Sequence, residues 1–162
     1  MADELVISRT FSASRARMWQ TWTDPARFSR WFGPKGATTI LINADIRAGG
    51  QLHCAMDLPG GLRIWAKLAY REVEPLTRLV WEHSFSNADG DIADSPFGGP
   101  WPKRLLNSVI FEDAGEGTRL HLTSTPLDAD ADEIAAFRGA LDSMLGGWSG
   151  NLDVLEDFLS GS

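Results

Sequence analysis

The strongest periodic signal in the chain lies near its C-terminal end. Between Asp130 and Ser160, the residues Ile134, Phe137, Leu141, Leu145, Trp148, Leu152, Leu155 and Leu159 recur at steps of three and four. That spacing gathers apolar side chains on one face of an α-helix and predicts one long amphipathic helix. Asp128, Asp130 and Asp132 with Glu133 mark its start, because carboxylates accept bonds from free first-turn amides and suit the positive end of the helix dipole. Ser160-Gly161 marks its stop. At about 1.5 Å per residue such a helix spans roughly 45 Å, so it needs a broad surface to lie on, and a wide antiparallel sheet supplies one. Gly139, Gly146, Gly147 and Gly150 interrupt the pattern, each at a cost of about 1 kcal/mol relative to alanine. They predict a kink near Gly146-Gly147. Their purpose is either close backbone packing, the commoner reason, or a hinge that lets the helix move over a cavity.

Upstream, polar and apolar residues alternate in short runs separated by turn residues, the pattern of an antiparallel meander. Strands are predicted at Leu5 to Phe11, Thr38 to Ile46, Gln51 to Leu58, Leu62 to Glu74, Arg78 to Ser86, Lys103 to Glu112 and Thr118 to Thr125. After the first strand, Ser14 can cap a short helix through Met18, Trp19 and Trp22, and Asp24-Pro25 opens a second that ends near Trp31-Phe32. Gly33-Pro34-Lys35-Gly36 then forms a loop without the Gly-x-x-x-x-Gly-Lys-[Ser/Thr] spacing of a phosphate cradle. The long Asn87 to Pro102 segment, rich in proline and glycine, reads as a lid or binding element that exposes Phe97 and Trp101, with disorder as the competing reading. Alternation places Leu52, Cys54 and Met56 on one strand face, as it does Leu79, Trp81, His83 and Phe85, then Leu105, Asn107, Val109 and Phe111, and finally Leu120 and Leu122. In Leu62 to Glu74 both faces are apolar, which leaves the parity of Trp65 open.

A length of 162 residues fits a single domain covering residues 1–162 with a full core. No apolar run is long enough to cross a bilayer, and Met1-Ala2-Asp3-Glu4 does not open like a secretory signal, so a cytoplasmic location is expected. The net charge of −7 argues against a nucleic-acid partner. Cys54 is the lone cysteine, which excludes an internal disulfide. Seven tryptophans and eight phenylalanines against one tyrosine suit both core filling and the walls of a pocket for apolar or aromatic molecules.

Several short motifs, in order, carry a family resemblance over nearly the whole chain. They are Phe11-Ser12-Ala13 with Met18-Trp19, Trp22-Thr23-Asp24-Pro25, Trp31-Phe32-Gly33-Pro34 and Asp45-Ile46-Arg47-Ala48-Gly49-Gly50. Glu74-Pro75-Leu76 with Arg78-Leu79-Val80, Gly117-Thr118-Arg119-Leu120, and Gly147-Trp148 with Leu152 and Leu155 complete the set. The chain resembles the START-like, helix-grip superfamily, and within it the proteins similar to the activator of the ninety-kilodalton heat-shock-protein ATPase. The resemblance implies an α+β fold: a seven-stranded curved antiparallel sheet wrapped around a long C-terminal helix, with two short helices after the first strand and a hydrophobic cavity between sheet and helix. Ser14 stands where such proteins usually have proline, and the Asn87 to Pro102 loop is longer than the resemblance implies. The eukaryotic activator is similar to this chain through one domain only. Its separate chaperone-stimulating domain has no counterpart here, so chaperone contact is not expected.

His83 is the most informative titratable residue: on the cavity face beside Trp81 and Phe85, burial would lower its pKa and keep it neutral, able to orient a ligand hydroxyl or carbonyl. The alternative is a histidine satisfied by backbone or by Asn107, which offers both a donor and an acceptor. Cys54 reads as a buried, poorly nucleophilic thiol. His53 and His121 point to the opposite face of their strands, so no metal set is expected. The acidic runs Asp128 to Asp132 and Asn87 to Asp91 lack the glycine and closing glutamate of a calcium loop. Asp57, Glu82 and Glu112 point outward, and no catalytic set can be named.

The reading that follows is a protein that binds a small hydrophobic, aromatic or lipid-like molecule and uses no cofactor. The expected ligand wall is Cys54, Met56, Trp81, His83, Phe85, Asn107, Val109 and Phe111, closed by Phe137, Leu141, Met144 and Trp148. One alternative is a cyclase or dehydratase with His83 as acid–base. Another is a protein-interaction or cochaperone-like module working through Phe97 and Trp101. Edge strands and loop tryptophans leave a homodimer open.

Overall fold

The computed structural model describes residues 3–161; Met1-Ala2, used above against a secretory signal, lie outside the described residues. Strands β1 (Leu5–Phe11), β2 (Thr38–Ala44), β3 (Gln51–Asp57), β4 (Arg63–Glu74), β5 (Arg78–Phe85), β6 (Arg104–Ala114) and β7 (Gly117–Leu127) form one antiparallel sheet in the order β1-β7-β6-β5-β4-β3-β2. The last strand thus returns to pair with the first. Register shifts between Leu41 and Asn43 in β2 and between Tyr70 and Glu72 in β4 help the sheet curl. At the β2–β3 turn a side chain on Gly50 would stand 2.1 Å from the Asp45 carbonyl oxygen, so only glycine fits.

Helix α1 (Arg15–Thr23) is capped by Ser14, whose side chain accepts from the Arg17 amide, so the residue that departs from the family resemblance serves as a working cap. Helix α2 (Pro25–Trp31) is capped by Asp24 with proline at its first position. Both helices close one end of the curved sheet. Trp22 lies 6.2 Å from Trp81 and 6.0 Å from Phe111, ring centre to ring centre, and Trp19 lies 5.2 Å from Phe111.

The inward set read from alternation is buried, apart from His83 and Phe85, which are partly accessible. In β4 the inner face is Ile64, Ala66, Leu68 and Tyr70. Trp65 sits on the outer face, stacked on His53 at 5.4 Å with the Arg63 guanidinium 5.6 Å from its ring. Alternation was silent here because the outer face is itself covered: the loop after β5 folds back so that His53 Nε2 meets the Asn87 carbonyl at 3.1 Å.

The C-terminal stripe is two helices rather than one. Helix α3 (Ala131–Gly139) starts with a reciprocal cap between Asp130 and Glu133, and helix α4 (Leu141–Gly161) follows it. The break falls at Ala140, where ψ is 0° and the amide bonds to the carbonyls of both Ala136 and Phe137 at 3.1 Å. Where a kink was expected at Gly146-Gly147, α4 continues unbroken through both, and the interruption of the stripe lies at Ala140 instead. Close packing does not account for Gly139, Gly146 or Gly147, where a β-carbon would meet nothing within 4 Å, whereas at Gly150 it would touch the Lys35 side chain at 3.5 Å.

Only the second half of α4 is fully seated, through Asn151, Leu152, Leu155 and Leu159. Arg9 Nη1 donates to Asp153 at 2.8 Å, and Arg17 Nη2 to the Leu159 carbonyl at 2.6 Å. Asn151 joins the helix to the segment after α2: its Oδ1 accepts from the Gly33 amide at 3.1 Å and its Nδ2 donates to the Trp31 carbonyl at 2.7 Å. The first half of α4 stands off from the sheet, and the gap beneath it is open.

Candidate functional site

That gap is a cavity of about 480 Å³, within the range of small-molecule sites. Its lining comes from six parts of the fold. Phe32, Gly33 and Pro34 follow α2; Met56, Leu58 and Ile64 come from β3, β4 and their turn; His83, Ser84 and Phe85 end β5. Leu105, Asn107 and Ser124 form a floor on β6 and β7, and Ser143, Met144, Gly147, Trp148 and Asn151 of α4 form the roof. Phe97, Trp101 and Pro102 of the loop before β6 stand at its mouth. Trp101, expected to be exposed, is half-buried with its ring 6.0 Å from that of the buried Phe137, whereas Phe97 is 67% exposed.

Apolar surface dominates; the polar groups are His83, Ser84, Asn107 and Ser124 on three neighbouring strands and Ser143 and Asn151 on α4. Asn107 and Ser124 face each other in the β6–β7 register, 2% and 0% exposed. Asn107 Oδ1 and Ser124 Oγ have no hydrogen-bond partner, although buried polar atoms are nearly always paired. His83 is the diagonal neighbour of Asn107 across β5–β6, since His83 opposes Leu105 and Trp81 opposes Asn107. Its Nδ1 accepts from Trp81 Nε1 at 3.3 Å, which leaves the ring proton on Nε2. The partner is therefore Trp81, neither the backbone nor Asn107. Burial pushes the His83 pKa down from 6.5 to about 4, so the ring is neutral and offers a donor. Among the described residues lining the cavity, none carries a formal charge at neutral pH and His83 is the one titratable side chain.

A family model described as Activator of Hsp90 ATPase homolog 1-like protein matches residues 12–160. The chain belongs to this family. Solved structures share the fold at low identity. Protein Ms6760 from Mycobacterium smegmatis is 21% identical with a TM-score of 0.79, over 98% of this chain and 91% of that one. A protein from Arthrobacter aurescens is 22% identical with a TM-score of 0.82, over 99% and 88%. DynU16, of the dynemicin biosynthetic locus, is 19% identical with a TM-score of 0.66, over 99% of this chain and 48% of its own. A search of curated protein sequences gave no match.

In this member of the Hsp90 ATPase activator homolog 1-like family, Met56, His83, Phe85, Asn107, Met144 and Trp148 come together around the cavity. Cys54, Trp81, Val109, Phe111, Phe137 and Leu141 do not line it. The rings of α1 and α2 fill the other end of the gap, so strand residues inward at that end are core. Phe137 lies beneath Trp101. Cys54 is fully buried, and desolvation pushes its thiol up to about 12. Ser124 went unnoticed although it continues the inward parity of Leu120 and Leu122 by one more step. Phe32, Gly33, Pro34 and Asn151 had no local signal, because they reach the site through the contact between α2 and α4. On the outer face, His121 pairs Glu112 at 2.8 Å and Ser8 at 2.8 Å. Among the described residues no three His, Cys, Asp or Glu side chains converge, and no helix is long and apolar enough to cross a membrane.

Proposed function

We propose that this protein is a cytoplasmic binder of a small hydrophobic or aromatic molecule, held between the first half of α4 and the sheet. The observation that carries the reading is the cavity itself: about 480 Å³ of mainly apolar space, roofed by a half-seated helix and open to solvent beside the loop before β6. A concave, mainly apolar space of this volume with a few polar groups on its walls matches the usual form of a small-molecule site. The membership of DynU16 in a biosynthetic locus is a setting in which a small-molecule pocket is useful. An acid–base reading would run through His83, but a ring that protonates only near pH 4 is a feeble base at neutral pH. Trp101 faces Phe137 and the cavity, which argues against its use as a free docking residue.

The test is a thermal-shift screen of neutral aromatics, sterols and fatty acids beside native mass spectrometry of the purified protein. A ligand that binds only the folded state raises the melting temperature by mass action. A saturable rise with one bound mass is expected for at least one aromatic compound. No shift and no adduct across the panel would refute the proposal.

A further inference from the structure

On the outer face of the sheet, away from the cavity, a hydroxyl, an imidazole and a carboxylate stand in line. Ser8 of β1, His121 of β7 and Glu112 of β6 come from three adjacent strands, with Ser8 opposite His121 in the β1–β7 register. Ser8 Oγ lies 2.8 Å from His121 Nδ1, and Glu112 Oε1 lies 2.8 Å from His121 Nε2. A carboxylate at Nε2 holds the ring proton on that nitrogen, so Nδ1 carries the lone pair and the Ser8 hydroxyl donates to it. This is the polarity a base needs in order to take a proton from a nucleophile. In the Ser-His-Asp arrangement the serine meets Nε2 and the carboxylate Nδ1; here the two nitrogens exchange roles and the logic is kept. Register alone does not impose the contact. Glu112 stands opposite Arg119, yet its carboxylate meets the diagonal His121 and leaves Arg119 without an ion pair or side-chain hydrogen bond among the described residues.

All of these groups can be reached from solvent. Ser8, Glu112 and Arg119 are exposed and His121 is partly so. Strand β1 is an edge of the sheet, so no further strand stands beside Ser8 on the side away from β7. Two exposed apolar side chains flank the pair on one side: Val6, two residues before Ser8 on the same strand face, is 54% exposed, and Ile110, opposite His121, is 42% exposed. On the other side Arg119 stands diagonal to Ser8, a separation of roughly 7–8 Å that a long side chain spans. Nucleophile, base, orienting carboxylate, a cation for a developing oxyanion and an apolar rest for an acyl chain thus share one patch.

We propose that Ser8, His121 and Glu112 form a second site, independent of the cavity, that hydrolyses uncharged carboxylic esters with short acyl chains. The Ser8 oxygen attacks the carbonyl carbon as its proton passes to His121 Nδ1. The bond from that carbon to the alcohol oxygen breaks, and the alcohol leaves with the proton. Water then attacks the acyl-serine, gives one proton to His121 and releases the carboxylic acid, and Ser8 regains its proton from the ring. Glu112 is a positioning residue that holds the imidazole and offsets its charge while it is protonated. Arg119 stabilises the oxyanion.

The experiment uses an alkyl fluorophosphonate, whose phosphorus is attacked by an activated serine with loss of fluoride, and then the hydrolysis of 4-nitrophenyl butyrate. Intact and peptide mass spectrometry of the native protein should show one added phosphonyl group, on Ser8, and the modified protein should lose its esterase activity. Ser8→Ala should abolish the label, and His121→Gln should slow labelling and hydrolysis by about a hundredfold, the usual worth of a positioned base. Glu112→Gln should slow both by less than that, and Arg119→Gln should slow ester hydrolysis by at least about tenfold. These side chains lie on the surface, so melting temperatures of the variants check that each folds. No label on native wild type, a label on a different serine, or equal hydrolysis by wild type and Ser8→Ala would overturn the proposal. A merely structural network would give that result, with the variants differing from wild type in melting temperature alone. The cavity reading stands or falls separately, on its own ligand screen.

Discussion

An acceptor and a hydroxyl buried without partners, as in Asn107 and Ser124, each cost about 1–3 kcal/mol. His83 carries a second cost. Its ordinary pKa is 6.5 and its folded value about 4, so between those values the unfolded chain binds the extra proton. Stability from this residue is therefore complete above about pH 6.5 and falls as the pH drops toward 4, by on the order of 3 kcal/mol in all. Unfolding midpoints in denaturant should decline across this window in wild type and decline less in His83→Gln; parallel curves would show that His83 is not held neutral by burial. Cys54 behaves in the opposite direction, with its thiol pushed up to about 12. A thiol-specific disulfide reagent should leave the native protein unlabelled at neutral pH and label it at once in denaturant, and prompt native labelling would contradict its burial. Alternation along single strands was enough to bring His83, Asn107, Met56 and Phe85 to the inner face. It did not separate cavity from core, because that depends on where the rings of α1 and α2 stop, which no single strand encodes.

Helix α4 works in two halves, and the sequence showed only its stripe. The periodic positions were right, but Phe137 and Leu141 belong to different helices because the helix is interrupted at Ala140. Helical periodicity survives a break of this kind, so spacing alone does not reveal it. The anchor of the second half is Asn151, which bonds the Gly33 amide and the Trp31 carbonyl. Asn151→Ala strands both backbone groups and should destabilise the protein by on the order of 3 kcal/mol in chemical unfolding. A loss below about 0.5 kcal/mol would mean that these groups find other partners. Gly146 is exposed and its missing side chain would meet open space. Gly146→Ala should raise stability by about 1 kcal/mol, since alanine suits a helix interior better. A loss of stability would instead point to a bend that glycine alone permits.

In the molecule as a whole, a curled sheet holds two different contents at its two ends. One end is filled by Trp19, Trp22 and Phe28 of the short helices, and the other is left open under α4. The fold was nearly all legible: seven strands with bounds within a residue or two, two capped helices and a C-terminal apolar stripe. These features depend on local periodicity and turn chemistry. The cavity was legible only in part, because its roof, mouth and floor meet through contacts between residues far apart in the chain, such as Gly33 with Asn151 and Trp101 with Phe137. Occupation of this space is best followed by heteronuclear NMR during titration with hydroxybiphenyl. Saturable shifts are expected at the Asn107 side-chain amide, at Ser124 and at the Trp148 indole, while exposed Val6 and Ile110 stay unmoved. Shifts confined to residues such as Val6 and Ile110, or no shift at Asn107 and Trp148 at saturating ligand, would contradict the cavity as the binding site.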